Sequence, residues 1–318
     1  MKKALITGIA GFAGSHLARL LLSQKFTVYG FFHPDHATTN VDEIKDKINL
    51  TSCDLLGQRD LEEKLSRINP DCVFNLAAYS SPAESFKNPK KTLENNMISE
   101  LNLLKTLAKL KSKAKILIIG SADEYGQPAG NRALDESIPL APISPYAVSK
   151  VIQDLLGYQF FAHHRLHIVR VRPFNHIGPR QSKAFVVPSF AAQIASLEKR
   201  GGGAIRVGNL KTWRDFTDVR DMVRAYLLAL QKGEAGEVYN IGSGKPIQIA
   251  DILKKLISFS TVKIKIRKDK KLFHPAEIQK IYCEFSKFNK QTGWKPQIPI
   301  SKTLSDTIEY ERKVLNQN

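Results

Sequence analysis

The residues best suited to chemistry are Tyr146 and Lys150, four positions apart in Tyr146-Ala147-Val148-Ser149-Lys150, a spacing that puts both side chains on one face of a helix. Alone, such a pair is ordinarily a solvated helix face. It gains chemical meaning from Ser121, which closes the apolar run Lys115-Ile116-Leu117-Ile118-Ile119-Gly120-Ser121. Three groups can then meet at one carbonyl: the lysine ammonium stabilises a tyrosinate and can hold a cofactor ribose, the tyrosine exchanges a proton, and the serine orients the oxygen. This suits hydride transfer, where hydride and proton reach carbon and oxygen from different directions and a nicotinamide supplies the hydride. Upstream, Gly8, Gly11 and Gly14 stand between the strand-like Leu5-Ile6-Thr7 and the helically spaced Leu17, Leu20 and Leu21. Missing Cβ atoms there permit a tight turn and the approach of a pyrophosphate to a helix N-terminus. The spacing is G-x-x-G-x-x-G rather than G-x-G-x-x-G, and by itself it equally fits a structural turn.

The scaffold for these groups is legible as alternating elements. Strands are expected at Leu5–Thr7, Thr27–Phe32, Ile48–Leu50, within Pro70–Ala78, at Lys115–Ser121, Leu166–Val171 and Val238–Ile241. Amphipathic helices are expected at Asn96–Leu110 and Tyr146–His163. Strands alternating with helices argue for a parallel sheet covered on both faces. The predicted fold class is α/β: a Rossmann-type doubly wound parallel sheet with a smaller mixed α/β C-terminal substrate domain. Residues 1–174, with returning segments near 213–242, form the expected dinucleotide-binding domain, and the remainder of 175–318 the substrate domain. Within that remainder, Asp251–Ile257 reads as a small helix, Val262–Arg267 as a strand and Ile300–Leu315 as a terminal helix.

Composition narrows the class. The chain has 318 residues with 48 basic and 30 acidic side chains, a formal net charge of +18, and an ordinary globular apolar fraction. The densest basic stretch, Lys263-Ile264-Lys265-Ile266-Arg267-Lys268, alternates charged and apolar residues like a strand with one wet face, and neither a recognition motif nor an aromatic series marks it as a polyanion site. No nucleic-acid partner is therefore expected. No apolar run reaches the roughly 18 residues of a membrane span, and Met1-Lys2-Lys3 leads into a glycine turn rather than a signal-peptide cleavage site. The three cysteines, Cys53, Cys72 and Cys283, are too scattered for a disulfide framework or a metal cluster, which points to a reducing compartment, the cytoplasm, and to no metal.

Across nearly its whole length the chain resembles the extended short-chain dehydrogenase/reductase family, in the nucleotide-sugar branch that contains GDP-mannose 4,6-dehydratases and GDP-4-keto-6-deoxy-D-mannose reductases. The resemblance is carried by Gly8-x-x-Gly11-x-x-Gly14, Asn75-Leu76-Ala77-Ala78, Glu124-Tyr125-Gly126, Ser144-Pro145-Tyr146-x-x-Ser149-Lys150, Arg172-Pro173-Phe174-Asn175-His176-Ile177-Gly178-Pro179, Arg214-Asp215-Phe216-x-Asp218-Val219 and Thr292-Gly293-Trp294-Lys295-Pro296. It implies that Tyr146, Lys150, Ser121 and Asp123 form the catalytic group. It implies NADP or NAD bound by Gly8, Gly11, Phe12, Gly14, His33, Asp54, Leu55, Ala77, Ala78, Asn96, Tyr146, Lys150 and Pro173. A nucleotide-diphosphate sugar, GDP-linked, would lie against Ser81, Asn175, Val186, Asn209, Arg214 and Glu277. Relatives of this kind are often homodimers joined through the helix bearing the tyrosine and lysine. Read without the resemblance, Asp54 equally caps a helix, Arg214 equally pairs with Asp218, and Asn175 equally serves as a satisfied buried polar group.

The reaction turns on Ser121-Ala122-Asp123-Glu124-Tyr125. A 4,6-dehydratase needs a carboxylate to take the C5 proton, and related dehydratases carry a Thr and a Glu where this chain has Ser121 and Asp123. The shorter aspartate reaches less far, and Glu124 is expected to point elsewhere. Reduction of the C4 ketone of GDP-4-keto-6-deoxy-D-mannose, to a GDP-6-deoxyhexose such as GDP-D-rhamnose, is the expected activity. GDP-mannose 4,6-dehydration, or another nucleotide-sugar reduction or epimerisation, is the alternative, and a binding protein without turnover stands as the non-enzymatic reading. His274-Pro275-Ala276-Glu277 and Cys283-Glu284 depart from the family pattern, which loosens the nucleotide assignment. The second strand ends Tyr29-Gly30-Phe31-Phe32-His33 without the acid that NAD-selective sites use, and also without an arginine, so NADPH is expected with NADH tolerated.

Overall fold

A computed structural model describes residues 1–127, 132–273 and 278–317. In chain order the elements are β1 (Lys3–Thr7), α1 (Phe12–Ser23), β2 (Thr27–Phe32), β3 (Asn49–Ser52), α2 (Gln58–Ile68), β4 (Cys72–Asn75), α3 (Pro82–Lys87), α4 (Pro89–Lys109), β5 (Lys115–Ile119), α5 (Pro145–His164), β6 (His167–Pro173) and β7 (Asn175–Ile177). There follow α6 (Val186–Lys199), β8 (Gly203–Val207), β9 (Trp213–Asp218), α7 (Val219–Lys232), β10 (Val238–Ile241), β11 (Pro246–Gln248), α8 (Ile249–Ile257), β12 (Ile264–Lys268), β13 (Lys280–Ile281), α9 (Ser286–Thr292) and α10 (Ile300–Gln317).

Seven strands form one wholly parallel sheet in the order β10-β6-β5-β4-β1-β2-β3. Alternation along each strand divides the core. Ala4, Ile6, Phe74, Leu117 and Val169 pack against α1 and α7 on one face, and Leu5, Val73, Ile116, Ile118 and Ile168 against α2, α4 and α5 on the other. The order reverses between β1 and β4, and that switch point opens a crevice at the carboxyl ends of the strands. The doubly wound sheet expected from the sequence is therefore present.

The returning stretch is less simple than residues 213–242 taken as one block. Only α7 and β10 rejoin the large sheet, β10 pairing with β6, whereas β9 organises a smaller sheet with β7, β11 and β13. A third cluster of apolar side chains gathers α6, α8 and α10 around Ile205 and Val207 of β8. Among the described residues the basic strand β12 pairs only with β8, and Ile266 remains 52% exposed, so the expected contrast between a wet and a covered face is weak there. Cys53, Cys72 and Cys283 are buried and unpaired. Among the described residues no helix is long and apolar enough to cross a membrane, and no group of side chains is arranged to hold a metal ion.

Candidate active site

The glycine turn lies at the switch point. Gly8 adopts φ +67°, which suits a residue without a side chain, and a Cβ there would stand 3.0 Å from the backbone of Ala77 after β4. The backbone N–H of Ala77 donates to Thr7 Oγ1 at 3.1 Å, which ties the ends of β1 and β4 together. Gly14 lets α1 sit directly on the turn, since its Cβ would fall 2.3 Å from Gly8 O. Gly11 is the N-cap of α1, without a side-chain cap and with no acidic residue in the first turn. Free N–H groups at a helix start, in a cradle that any Cβ would fill, fit the pyrophosphate of a dinucleotide.

Around this cradle the structure places the other expected cofactor residues. Phe12 opens α1 and stacks on His176 with ring centroids 5.7 Å apart. His33 follows β2 and accepts from the N–H of Asp35 at 3.2 Å; the Asp35 carboxylate, 3.8 Å from the ring, is an acid close to the strand end that sequence reasoning passed over. Asp54 Oδ1 accepts from the N–H of Leu56 at 2.9 Å, so it forms a turn ahead of α2 rather than the cap of that helix, which is Gly57. Leu55 is buried, and its carbonyl accepts from Asn102 Nδ2 at 3.0 Å. Ala78 is half-buried beside Ala77, and Pro173 closes β6 opposite Ile241. Asn96 is fully buried as a clamp: its amide exchanges two hydrogen bonds with the Tyr79 backbone, at 2.8 and 3.0 Å, and donates to Ser149 Oγ at 2.9 Å.

Tyr146 and Lys150 share a face of α5, and Ser121 and Asp123 of the turn after β5 face Tyr146. Ser144 caps α5 by accepting from the N–H of Ala147 at 3.1 Å, and Pro145 fills the first turn, where its missing N–H costs nothing. Lys150 Nζ donates to Ile119 O at 2.9 Å and to Gln153 Oε1 at 2.8 Å, and stands 6.0 Å from the centroid of the Tyr146 ring. Burial holds the Tyr146 phenol well above its ordinary value, the Asp123 carboxylate adds to that, and a hydrogen bond with Ser121 opposes it. Asp123 is half-buried; burial raises its carboxyl and facing Arg214 lowers it again.

Glu124 does point elsewhere, into the interior. Its Oε1 accepts from the N–H of Ser121 at 2.6 Å and its Oε2 lies 3.0 Å from Arg172 Nε. Arg172 also binds Asp154 of α5 and donates to Tyr125 OH at 3.0 Å, and Asp154 in turn holds Arg170 at 2.9 Å. This buried ion cluster fixes the Ser121 turn against α5. Arg172 entered the sequence reading only as a letter of a family motif, and the destination of Glu124 was not visible there, because Arg172, Asp154 and Glu124 each look like solvated charges.

On the sugar side, Ser81 caps α3, accepting from the N–H of Glu84 at 3.2 Å. Asn175 is exposed at the start of β7, which removes the reading of it as a satisfied buried group. Val186 begins α6 and is 39% exposed. Asn209 Oδ1 accepts from the N–H of Lys211 at 3.0 Å. Arg214 of β9 donates from Nη1 to Trp213 O at 2.8 Å and Ile278 O at 2.7 Å. It does not pair with Asp218, which caps α7 and binds Arg220 at 2.7 Å. Its neighbour Asp215 accepts from Ser243, Gly244 and Cys283 and so locks β9 in place. Glu277, with the departure at 274–277, lies outside the described residues.

Comparison with known proteins identifies the family. Residues 5–307 match the family described as GDP-mannose 4,6 dehydratase. The chain is 35% identical over 319 residues to a GDP-6-deoxy-D-mannose reductase of Pseudomonas aeruginosa, covering 98% of each chain, and 26% identical to a GDP-mannose 4,6-dehydratase of Yersinia enterocolitica, covering 97% of this chain and 93% of the other. Among solved structures it is similar to the Pseudomonas aeruginosa protein RMD complexed with NADPH, with a TM-score of 0.85 and 31% identity over 99% of this chain and 100% of that one. It is also similar to a UDP-glucose 4-epimerase of Thermotoga maritima, at a TM-score of 0.87 and 28% identity over 98% and 99% of the two chains. The chain belongs to the GDP-mannose 4,6-dehydratase family, within the extended short-chain dehydrogenase/reductases.

Proposed function

We propose that this protein reduces the C4 ketone of GDP-4-keto-6-deoxy-D-mannose to a GDP-6-deoxyhexose such as GDP-D-rhamnose. The observation that carries the reading is the geometry of the Ser121 turn: Glu124 is turned into the interior against Arg172, so the short side chain of Asp123 is the carboxylate left beside Tyr146, and it reaches less far toward a C5 proton than a glutamate would. The buried phenol, with Ser121 beside it, is placed to give its proton to a ketone oxygen. The full-length similarity to the Pseudomonas reductase supports the same direction.

The cradle of Gly8, Gly11 and Gly14 would hold the pyrophosphate of NADPH or NADH, with Asp54, Leu55 and His33 toward the adenosine, Ala77 and Ala78 along the crevice, and Pro173 toward the nicotinamide. When bound, the reduced nicotinamide supplies the hydride. Tyr146 gives its proton to the ketone oxygen as negative charge develops there. The Ser121 hydroxyl, which faces the phenol, orients that oxygen. Lys150, held between Ile119 O and Gln153, places a positive charge beside the tyrosinate left behind and would face the ribose hydroxyls of the cofactor. Arg214 and exposed Asn175 would provide a cationic and polar rim for the nucleotide diphosphate, with Val186 as an apolar contact beside them.

One observation favours dehydration as the second reading: Asp123 is a carboxylate with a raised proton affinity beside the tyrosine, as a C5 base would be. Mass spectrometry after incubation with GDP-mannose, and separately with GDP-4-keto-6-deoxy-D-mannose and NADPH, decides between them. A gain of two hydrogens on the keto sugar alone is expected; loss of water from GDP-mannose would overturn the reductase assignment. We place the protein in the cytoplasm, where its three buried thiols stay reduced, as a homodimer through the outer face of α5, where Leu155 and Tyr158 are 55% and 49% exposed.

A further inference from the structure

A lysine ammonium carries three N–H donors on a bond that turns freely in water. In this protein two of the three are taken, by Ile119 O at 2.9 Å and by Gln153 Oε1 at 2.8 Å, and Lys150 is buried. Both acceptors are neutral oxygens fixed in the fold. They stop the rotation of the ammonium and leave one N–H for a ligand, in a direction the protein has already set.

The carbonyl of Ile119 belongs to β5, but Gln153 is a side chain that has to be held itself. It lies one turn along α5 from Lys150, on the same buried face, and its amide is committed at both ends. Oε1 accepts from Lys150, and Nε2 donates to the backbone carbonyl of Asn96 in α4 at 3.0 Å. An ammonium can only donate and a carbonyl can only accept, so the neighbours decide which way the amide faces. The position asks for an acceptor and a donor on one neutral side chain of this length. An ionised glutamate would have no donor for Asn96 O, and a methionine would have neither group.

The bridge continues beyond Asn96 O. The Asn96 side chain binds both the N–H and the carbonyl of Tyr79 and donates to Ser149 Oγ, which in turn donates to Tyr146 O at 2.6 Å. Asn96 thus grips α5 at Ser149 and Gln153, on either side of Lys150, and holds the crevice wall that runs from Ala77 to Tyr79.

We propose that Gln153 is the positioning residue for Lys150: it fixes the ammonium and ties it, through Asn96, to the Ala77–Tyr79 wall, so that the remaining N–H meets a bound cofactor ribose without reorganisation. The inference rests on the Tyr146–Lys150 reading above. A Gln153 that only fastened α5 to α4 would contribute to stability and nothing to the cofactor.

The test is calorimetric titration of NADPH into wild type, Gln153→Met, Lys150→Met and the double variant, with melting temperatures alongside. Methionine keeps the length of the side chain and removes both polar groups. Gln153→Met is expected to weaken NADPH binding about tenfold, and to weaken it no further in the Lys150→Met background, where no ammonium needs holding. In keto-sugar reduction the KM for NADPH should rise and the KM for the sugar stay in place. A lowered melting temperature with unchanged NADPH affinity, or an equal loss of affinity in both backgrounds, would overturn the proposal. If Gln153→Met does not fold, Gln153→Asn, the same amide one methylene short of the span, takes its place, with a smaller loss that again requires Lys150. If Lys150→Met weakens NADPH binding and the Gln153 variant does not, only the proposal falls. If Lys150→Met binds NADPH like wild type, the Tyr146–Lys150 reading falls and takes the proposal with it.

Discussion

Replacing Gly14 by alanine separates the cofactor cradle from general stability. The new Cβ would meet Gly8 O at 2.3 Å, Ile9 Cα at 2.9 Å and Ile9 O at 3.0 Å. All three are backbone atoms that no rotamer change can move. The shortfall against Gly8 O is about 1 Å from ordinary contact, so α1 must lift off the turn. Such overpacking costs about 1–3 kcal/mol, a few degrees of melting temperature for a chain of this size. The larger consequence falls on the N–H groups at the start of α1, which are displaced from the pyrophosphate position. Loss of one charge-assisted hydrogen bond, worth about 1.5–3 kcal/mol, weakens NADPH binding about 10- to 100-fold. Calorimetric titration with NADPH measures this directly. Gly293→Ala is the control: Gly293 ends α9 at φ +74° with nothing near its Cβ position, so the substitution strains the backbone away from the crevice. It should lower stability and leave NADPH affinity unchanged. If Gly14→Ala binds NADPH as tightly as the control, the cradle does not hold the pyrophosphate.

Tyr146→Phe should reduce turnover about 10²- to 10⁴-fold with NADPH affinity and fold intact, measured by nicotinamide absorbance and cofactor titration; unimpaired turnover refutes its role as proton donor. Arg172→Met strands the buried Glu124 carboxylate and leaves Asp154 with Arg170 alone, and should cost about 3–5 kcal/mol in denaturant unfolding, whereas a loss below about 1 kcal/mol would show that the cluster does not hold the Ser121 turn. Acidification gives a third outcome. Burial, then Arg180, depresses the His16 imidazole from 6.5 to about 3, so the unfolded chain takes up its proton first, and the stability present above pH 6.5 is lost as pH falls toward 3. The slope reaches about 1.4 kcal/mol per pH unit between those values. His16→Gln should flatten it by that amount, and an unchanged slope would place the acid lability elsewhere.

How much of this was legible in the sequence follows from where each partner comes from. The Thr27–Phe32 and Val238–Ile241 strands fall where expected, because runs flanked by turn signals and buried on both faces leave a strong pattern. The small sheet left almost none: β7 and β11 have three residues each and β13 two, too few for any periodicity, and they are strands only because β9 lies beside them. Tyr146, Lys150 and Ser121 were readable because two of them share a helix face and the third ends a strand. The roles of Asp154 and Arg172 were not, since each is buried by a partner remote in the chain, as Arg172 is by Glu124, and a charge buried that way looks in the sequence like one in solvent.

That difference explains why fold and reaction were unequally legible. The fold rests on apolar periodicity, which is local. Proton direction at Tyr146 rests on what surrounds the phenol: Asp123 from the turn after β5, itself restrained by Arg214 of β9, and Ser121, whose N–H is held by Glu124 through Arg172. Asp123 has two opposed effects on the proposed chemistry. It keeps Tyr146 protonated, as a donor must be, and Arg214 restrains its own basicity, as a C5 base would not require. Releasing Asp123 from Arg214 should therefore shift the balance: Arg214→Gln raises the proton affinity of Asp123, since the guanidinium is what lowers it. It should weaken nucleotide-sugar binding while leaving Tyr146 a donor, so KM rises in the reduction assay before kcat falls. A fall in kcat at unchanged KM would instead put Arg214 in the chemical step rather than at the diphosphate.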